Sequence, residues 1–570
     1  MIAECTPQPG EGKGITMSEA SRANSLSWGD TFFLYLERKG QPLNVACTCE
    51  FEGAISLDAC RKYVESKLDL IPRYKQRAVF PAFNMGLPTW ELDPNFDIRN
   101  HVHRVVLKGG TDRDLKAVAA GIVSSTLDRS RPLWDLTLVQ GLKQHRTGLI
   151  VRIHHCLADG VAGVGIINAL LDATPIPLKA TSKKRTVGEP RPSDTVALLL
   201  SRLLESYQSF MQGALTAQSE VLTIARELLA GATAGHTEEL VHLVPELATP
   251  SERLPFNQVC RGPQHLAWGE IPMAEIKAIR QNFGGTVNDV VLTVIASTIR
   301  RYVESHGTKV RGRHLRLIVP VNVRGNGDVN EMGNRITFLP INVPLDVRDP
   351  RMLLARVGER MQFLRSVGVP DLVGLFGTMV SKVPLPLQAV LAPLLTQLPL
   401  SLCNMICTNV AGPQQPLYLL GRKMLRSYPY VPIGGEMGIN VALLSYDGVA
   451  YVGFGGDVHA VPDIHRFEEF LRLSFSELLD AAIGRPHSTE ASQERSKVTS
   501  PRPVAQGKKS KAAGASRPAR SKTKPSSSPQ PATPKRRTAS VKKTVPFPPA
   551  PAGAPQVATV RQVALAHTGD

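Results

Sequence analysis

Apolar residues follow two different spacings on either side of residue 154. Residues 148–153 alternate in the way that is typical of a buried strand, with Leu149, Val151 and Ile153 on one face. Beyond residue 160 the apolar positions recur at helical spacing, at Val161, Val164, Ile167 and Leu171. This spacing predicts an amphipathic helix. The pattern therefore predicts a strand, a tight turn and a helix in succession.

Similar patterns elsewhere predict two α/β regions. In the first region, strands are predicted at 44–53, 103–108, 137–142 and 148–153, and helices at 58–68 and 112–126. In the second region, strands are predicted at 314–324, 336–345, 438–448 and 449–458, and helices at 287–305, 352–366 and 464–483. The predicted fold class is α/β, with two similar domains that each contain a mixed sheet flanked by helices.

Changes in composition predict four segments. An N-terminal domain over residues 1–180 is followed by a linker with crossover helices over 181–260, because residues 179–193 are polar and proline-rich and 194–232 are helical in pattern. A C-terminal domain is predicted over 261–485. Residues 486–570 form a basic tail rich in Pro, Ser, Ala and Lys, which is expected to be disordered because it cannot bury enough apolar surface.

The net charge of +18 is concentrated in that tail. From residue 485 to the end, 17 Lys and Arg accompany three acidic residues, so residues 485–570 carry +14 and only +4 remains for the first 484 residues. A basic isoelectric point is therefore no argument that the folded part binds nucleic acid. We expect the tail to be a solvated spacer, and the alternative is a tether to an anionic partner such as anionic lipid, polyphosphate or nucleic acid.

Cysteine usage and the N-terminus predict a cytoplasmic protein. The eight cysteines show no C-x-x-C spacing and are read as reduced thiols, and the N-terminus has no feature of a secretory signal. Residues 387–410 are apolar enough to span a bilayer, but four prolines between 384 and 399 interrupt this uncharged stretch. We favour a buried or interfacial hairpin, and hence peripheral association with the inner membrane or lipid inclusions.

Candidate chemistry lies in HHCLADG at residues 154–160, on the predicted turn. A histidine at a strand-to-helix junction can reach a cleft while its backbone stays rigid. Asp159 is placed to cap or brace the start of the helix. A metal pair and two purely structural histidines stay open as alternatives. Adjacent histidines at a strand end point in opposite directions and no Cys/His cluster with ligand spacing occurs elsewhere, and both facts weigh against a metal.

Further motifs accompany this septet in a fixed order. They are LSWGDTFFLYLERKGQPLNVACTCEFEG from residue 26, LDRSRPLWDL at 127–136, VNDVV at 287–291, GNRITFLPINVP at 333–344 and TNVAGP at 408–413. Over residues 25–483 the chain thus resembles the bacterial wax ester synthase/diacylglycerol acyltransferases of the CoA-dependent acyltransferase superfamily. The resemblance implies two acyltransferase domains with the active site in a tunnel between them, entered by acyl-CoA from one side and by the acyl acceptor from the other.

The resemblance also assigns roles to particular residues. It implies that His155 is the general base, that Asp159 and Gly160 shape its turn, and that His154 has a supporting role. The family's Asn-Asp motif falls on Asn288 and Asp289.

A second reading applies to that Asn-Asp pair. Thr286 and Asp289 have capping-box spacing, so helix capping alone is an alternative to a contribution to site geometry or oxyanion stabilisation. The choice between the two readings stays open.

Other candidate positions concern the walls of the site. Pro132, Leu133 and Trp134 are expected to pack the core or line an acyl channel. Asn440, Ser445 and Tyr446 match a late motif of the family and are expected to face the tunnel. Two departures from the family pattern, Ala411 where proline is common and Asn322 where serine is usual, bear on acceptor preference.

The chemistry independently favours a histidine base. An alcohol is a weak nucleophile that must lose its proton as it attacks, and a neutral imidazole can accept that proton and return it to the departing CoA thiolate. A thioester is already activated, so no covalent acyl-enzyme and no cofactor are expected. The expected partners are acyl-CoA, diacylglycerol or a long-chain alcohol, and a lipid droplet or membrane surface.

The leading hypothesis is therefore an acyl-CoA-dependent O-acyltransferase that forms triacylglycerol, wax ester or both. One alternative is a superfamily acyltransferase or condensation-type enzyme with another hydroxyl acceptor. The other alternative is a scaffold that binds lipid granules through the basic tail, without catalysis.

Overall fold

The computed structural model describes residues 24–81, 84, 87–157, 167, 169–176, 249–322, 336–366 and 403–484. The predicted crossover helices, the basic tail and residues 387–402 of the apolar segment lie outside these ranges, as do Asp159 and Gly160. The predicted boundaries of the four segments stay a prediction.

The first region contains three helices and six strands. The helices are α1 (Trp28–Leu36), α2 (Leu57–Lys67) and α3 (Asp112–Val123). The strands are β1 (Asn44–Glu52), β2 (Gln76–Val79), β3 (Thr89–Leu92), β4 (Val102–Val106), β5 (Trp134–Gln140) and β6 (Arg146–His154). Short 3-10 helices cover Leu68–Leu70, Pro72–Lys75, Ile98–Asn100 and Lys143–His145. The strands and helices predicted between residues 44 and 153 are confirmed, with ends that shift by a few residues, whereas the helix predicted beyond residue 160 lies largely outside the described residues and stays a prediction.

The second region contains four helices and eight strands. The helices are α4 (Met273–Phe283), α5 (Val287–Ser305), α6 (Pro350–Ser366) and α7 (Arg466–Ile483). The strands are β7 (Gln264–Pro272), β8 (His314–Asn322), β9 (Ile336–Pro344), β10 (Met405–Ala411), β11 (Tyr418–Leu419), β12 (Arg422–Tyr430), β13 (Ile439–Tyr446) and β14 (Val449–Asp457). The predicted elements are again confirmed, whereas α4, β7, β10, β11 and β12 were not predicted.

The first sheet has the order β11-β12-β1-β6-β5-β4, in which only β4 and β5 run parallel. Strand β6 lies in the middle, paired antiparallel with β1 and with β5. Strand β12 comes from the second region of the chain and pairs antiparallel with β1. The sheet that carries the histidines is therefore completed by a segment almost 380 positions after the start of β1.

The second sheet has the order β7-β14-β13-β10-β8-β9, with β10 parallel to both of its neighbours. Helix α5 packs against α6 and α7, and most of its side chains are buried in the largest hydrophobic cluster of the described residues. Its N-terminus has a complete capping box formed by Thr286 and Asp289, as the spacing predicts.

The two sheets approach each other closely where β12 contacts β13 and β14. A Cβ atom at Gly453 would lie only 1.9 Å from the carbonyl oxygen of Pro429, so only glycine fits there. The rings of Trp268 and Tyr428 stack with their centroids 4.4 Å apart. Strand β12 thus belongs to the first sheet and also packs on the second.

The apolar segment is described only in part. Its last residues form β10, which lies inside the second sheet. No helix in the described ranges is long and apolar enough to cross a membrane.

Candidate active site

Two neighbouring segments hold the backbone of the histidine pair. Strand β6 is buried from Thr147 to its end at His154. The amide of His154 donates to the carbonyl of Leu133 at 2.9 Å, and the amide of His155 donates to the carbonyl of Leu43 at 2.9 Å. Successive amides point to opposite sides of an extended chain, so each histidine is fixed by a different neighbour.

His154 is completely buried, with 0% of its surface exposed. Its Nδ1 accepts a hydrogen bond from the amide of Cys156 at 3.1 Å, so the neutral ring carries its proton on Nε2. Nε2 lies 3.5 Å from Oε1 of Glu37, which is longer than a good hydrogen bond. Burial, with a further contribution from the Arg129 charge, lowers the pKa of His154 to about 3. His154 is therefore neutral at physiological pH and does not reach the surface.

His155 differs from its neighbour because its side chain is only partly buried. Its ring stacks on Phe33 of α1, with the centroids 4.0 Å apart and the planes 23° apart. Such stacking fixes the plane of an imidazole.

Sequence reasoning missed an ion pair beside the histidines, between a buried carboxylate and a partly exposed guanidinium. Glu37 follows the last residue of α1, and its side chain is 3% exposed. Its Oε2 accepts a hydrogen bond from a guanidinium nitrogen of Arg129 at 3.1 Å, and its Oε1 accepts from the amide of Leu43 at 3.1 Å. Arg129 also donates to the carbonyl of Leu34 at 2.6 Å.

A second ion pair, in which both residues are buried, joins β5 to β6 directly before the histidines. Asp135 and Arg152 are opposite each other in the ladder, and the guanidinium binds both carboxylate oxygens, with Nε 3.1 Å from Oδ1. Arg152 also donates to the carbonyl of Ser125 at 2.8 Å and to its hydroxyl at 2.7 Å. This bidentate pair fixes the register of the strand that ends at the histidines.

The three residues of the PLW motif pack beneath the same strand end. Pro132, Leu133 and Trp134 are all buried. Leu133 contributes to the small hydrophobic cluster that includes Cys156, and its carbonyl holds His154 as described above. Trp134 donates its indole N–H to the carbonyl of Tyr74 at 2.8 Å and stacks on His101.

Asp159 and Gly160 of the septet lie outside the described residues. Just beyond them, Asp172 is described and is buried. It accepts hydrogen bonds from the hydroxyl of Tyr63 at 2.6 Å and from the ammonium of Lys67 at 2.9 Å. Its backbone forms a β-bridge with Tyr418 of β11. Asp172 is therefore anchored both to α2 and to a strand that comes from the second region.

The Asn-Asp motif divides into two contacts. Asp289 is buried and forms the helix cap: its Oδ2 accepts from the amide of Thr286 at 2.8 Å. Asn288 instead faces β10, where its Oδ1 accepts from Nδ2 of Asn409 at 3.4 Å. Asn409 belongs to the TNVAGP motif, so these two motifs meet. No contact links either of them to the histidines among the described residues.

Three late-motif residues fix backbone segments. Asn440 is fully buried; its Oδ1 accepts from the amide of Ile406 at 2.7 Å and its Nδ2 donates to the carbonyl of Pro432 at 2.6 Å. Ser445 accepts from the amide of Gly412 at 3.2 Å. The hydroxyl of Tyr446 accepts from the amide of Leu417 and donates to the carbonyl of Met424, at 3.0 and 2.9 Å.

The thiol beside the histidines is not poised for chemistry. Cys156 is buried, and burial raises the pKa of its thiol well above the ordinary value. Among the residues with described positions, no group of three or more His, Cys, Asp or Glu side chains is arranged to hold a metal ion.

An open cavity of about 660 Å³ lies between β8, β9 and α6, away from every predicted site residue. Its lining includes Arg356, Glu359 and Arg360 of α6.

Solved structures show the same fold. The wax ester synthase/diacylglycerol acyltransferase of Marinobacter aquaeolei VT8 matches with a TM-score of 0.56 at 22% identity, covering 80% of this chain and 99% of that one. The first condensation domain of the CDA synthetase matches with a TM-score of 0.51 at 15% identity, covering 81% and 98%. The fold class is thus an α/β architecture shared by acyltransferases and condensation domains.

Sequence families narrow this class. The wax ester synthase/diacylglycerol acyltransferase catalytic domain matches residues 26–291, and the WS/DGAT C-terminal domain matches residues 332–479. The chain therefore belongs to the wax ester synthase/diacylglycerol acyltransferase family.

Two relatives from Mycobacterium tuberculosis (strain H37Rv) are similar over most of their length. "Probable diacyglycerol O-acyltransferase tgs1" is 28% identical over 448 residues, which are 77% of this chain and 92% of that protein. "Probable diacyglycerol O-acyltransferase tgs2" is 28% identical over 467 residues, 80% of this chain and 98% of that protein.

Proposed function

We propose that this protein is an acyl-CoA-dependent O-acyltransferase that forms neutral lipid, namely triacylglycerol from diacylglycerol, wax ester from a long-chain alcohol, or both. The family membership and the names of the two mycobacterial relatives support this substrate class. The acyl acceptor is a hydroxyl group in either case, so one base serves both reactions.

One observation carries the assignment of His155 as that base. Of two adjacent histidines, His154 is fully buried and has its Nδ1 occupied by the amide of Cys156, whereas His155 is partly exposed and held by stacking. Only the second imidazole is partly exposed, so it is the one that a substrate entering from outside the core can reach. A general base must come within hydrogen-bond reach of the proton that it abstracts.

In the proposed reaction, neutral His155 accepts the proton of the acceptor hydroxyl as its oxygen attacks the thioester carbonyl. The resulting tetrahedral oxyanion collapses, the carbon–sulfur bond breaks, and the imidazolium returns the proton to the CoA thiolate. The products are ester, CoA and neutral histidine, so the catalyst is regenerated. Transfer is direct, and the raised pKa of the buried Cys156 thiol argues against a covalent intermediate on that cysteine.

The remaining predicted roles form part of the same proposal. Asp159 and Gly160 shape the turn that follows the base, and Asn288 contributes to the geometry of the site through its contact with Asn409. The protein works in the cytoplasm at the surface of the inner membrane or of lipid inclusions, where its apolar substrates collect.

Release of CoA from palmitoyl-CoA tests the proposal, measured with diacylglycerol, with hexadecanol and without acceptor. For His155→Ala we expect a loss of turnover of about 10²- to 10⁴-fold with both acceptors. His103→Ala changes an exposed histidine on β4 of the same sheet and is the matched control, for which we expect unchanged turnover. Wild-type turnover in a folded His155→Ala protein would rule out the base, and no CoA release with either acceptor would rule out the substrate class.

A further inference from the structure

The proposed reaction does not use an ion pair near the base, in which the carboxylate of Glu37 is buried and the guanidinium of Arg129 is partly exposed. The Glu37 side chain is 3% exposed, yet it faces an arginine, a backbone amide and the edge of His154. Burying a carboxylate costs several kcal/mol unless a partner and further hydrogen bonds compensate for the lost water. A carboxylate in this place therefore costs free energy of folding, and its contacts indicate which part of the site it holds in position.

A short chain of contacts connects Glu37 to the base. Oε1 of Glu37 accepts from the amide of Leu43 at 3.1 Å, and the carbonyl of the same Leu43 accepts from the amide of His155 at 2.9 Å. Leu43 is thus held on one side by the carboxylate and holds His155 on the other.

The same helix also fixes the imidazole ring. Phe33 of α1 stacks on His155, and Glu37 comes directly after the last residue of that helix. Arg129 holds the C-terminal end of this helix, because it donates to both the Glu37 carboxylate and the carbonyl of Leu34. Helix α1 therefore meets the base at two points, one on the ring and one on the backbone.

A proton relay through His154 is a less suitable reading of the same contacts. The Nδ1 atom of His154 accepts from the amide of Cys156, so it offers no route onward to His155. The distance of 3.5 Å between Nε2 and the carboxylate is also long for proton exchange.

We propose that Glu37 and Arg129 are positioning residues for His155, and that they act through the hydrogen bond from the Leu43 amide to the Glu37 side chain. The role rests on the proposed function, in which His155 is the base. A displacement of about 1 Å in a catalytic group can cost about 10²-fold in rate, so loss of this support reduces kcat rather than substrate binding.

Two double variants separate the hydrogen bond from the charges. Glu37→Gln with Arg129→Met removes both charges but leaves a side-chain oxygen that can accept from Leu43. Glu37→Leu with Arg129→Met also removes both charges but has no acceptor. Removing both charges together leaves no buried charge without a partner, so both proteins are expected to fold.

We expect the Gln/Met protein to keep kcat within about tenfold of the wild-type value. The kcat of the Leu/Met protein should be at least tenfold lower than that of the Gln/Met protein. In both proteins, KM for acyl-CoA should change less than about twofold. Single Glu37→Gln leaves Arg129 uncompensated and is expected to recover kcat when Arg129→Met is added. Equal kcat in the two double variants would overturn the proposal, because a purely structural pair would not distinguish them.

Two further proteins keep the outcomes distinct. Glu50→Gln is a matched control. Like Glu37, Glu50 is a buried carboxylate with arginine partners, here Arg146 and Arg426. It lies on β1, six positions from Asn44, the residue that pairs with His154. We expect Glu50→Gln to lower stability and leave kcat unchanged, and an equal loss of kcat would contradict a role specific to Glu37. If His155→Ala keeps its turnover, the proposed function fails; if it is inactive and the double variants agree, only the positioning role fails.

Discussion

Two regions of the molecule contain predicted site residues, and they are built from different groups. The histidine turn, residues 154–157, is held by two ion pairs: the buried carboxylate of Glu37 with the partly exposed Arg129, and the buried pair of Asp135 with Arg152. The amide region, which we define as Asn288, Asn409, Asn440 and Ser445, is held by neutral hydrogen bonds and a helix cap. Burying a charge costs desolvation free energy unless its partners are kept in place. A region held by such charges is therefore rigid, and it tolerates substitution of either partner poorly.

The largest expected difference between the two regions is in stability. For Asp135→Asn we expect a loss of about 3 kcal/mol in the free energy of unfolding, because Arg152 keeps its backbone contacts but loses its counter-charge in the core. For Asn440→Ala in the amide region we expect about 2 kcal/mol, from two backbone groups left without partners. Urea denaturation measures both, and a larger loss for Asn440→Ala would reverse the comparison.

The second prediction concerns pH. Burial gives His154 a folded-state pKa of about 3, against roughly 6.5 in the unfolded chain. The unfolded state therefore binds more protons between these values, so this contribution to stability is complete above about pH 6.5 and is lost as pH falls, at about 1.4 kcal/mol per pH unit.

His154→Gln removes this titration and is the matched comparison. When the pH is lowered from 7.5 to 5.5, the free energy of unfolding should decrease by about 1 kcal/mol more in the wild type than in the variant. Equal slopes for the two proteins would mean that His154 is not held in the neutral form. The amide region has no titrating group among its four members, so its variants should keep the wild-type slope.

The smallest effect is expected at Asn288. Its one described hydrogen bond, to Asn409, is long at 3.4 Å, and the helix cap is made by Asp289 instead. Asn288→Ala should therefore lower the free energy of unfolding by less than about 1 kcal/mol. A loss of turnover as large as that of His155→Ala would move the amide region from shaping the site to taking part in the chemistry.

Local patterns in the sequence predicted most of the fold. Helix α5 begins and ends where its apolar spacing and its capping box indicate, and β6 ends at the histidines as predicted. Strand β12 was missed because RKMLRSYPY has no clear alternation and contains a proline, and because its partner β1 lies far away in the chain. A strand of this kind is defined by its neighbours and not by its own sequence.

The site residues also fall into two groups, those that a local motif reveals and those that only the fold brings together. A motif was enough to single out His155, but Glu37 and Arg129 lie 92 positions apart and meet only when α1 and the segment before β5 come together. Both residues stand inside motifs that the family resemblance had drawn attention to, LSWGDTFFLYLERKG and LDRSRPLW. The available signal was a charged residue next to an apolar run, which is also the ordinary appearance of a helix end.

The position of β12 near the end of the folded region has a consequence for synthesis on the ribosome. Until residues 422–430 emerge, β1 has an open edge next to the strand that ends at the histidines. At bacterial rates of elongation this interval of some 370 residues lasts on the order of half a minute. An exposed edge invites pairing with other chains. The nascent protein therefore passes through a period in which the sheet that carries the histidines has an open edge, and this sheet cannot be complete before residue 430 has been translated.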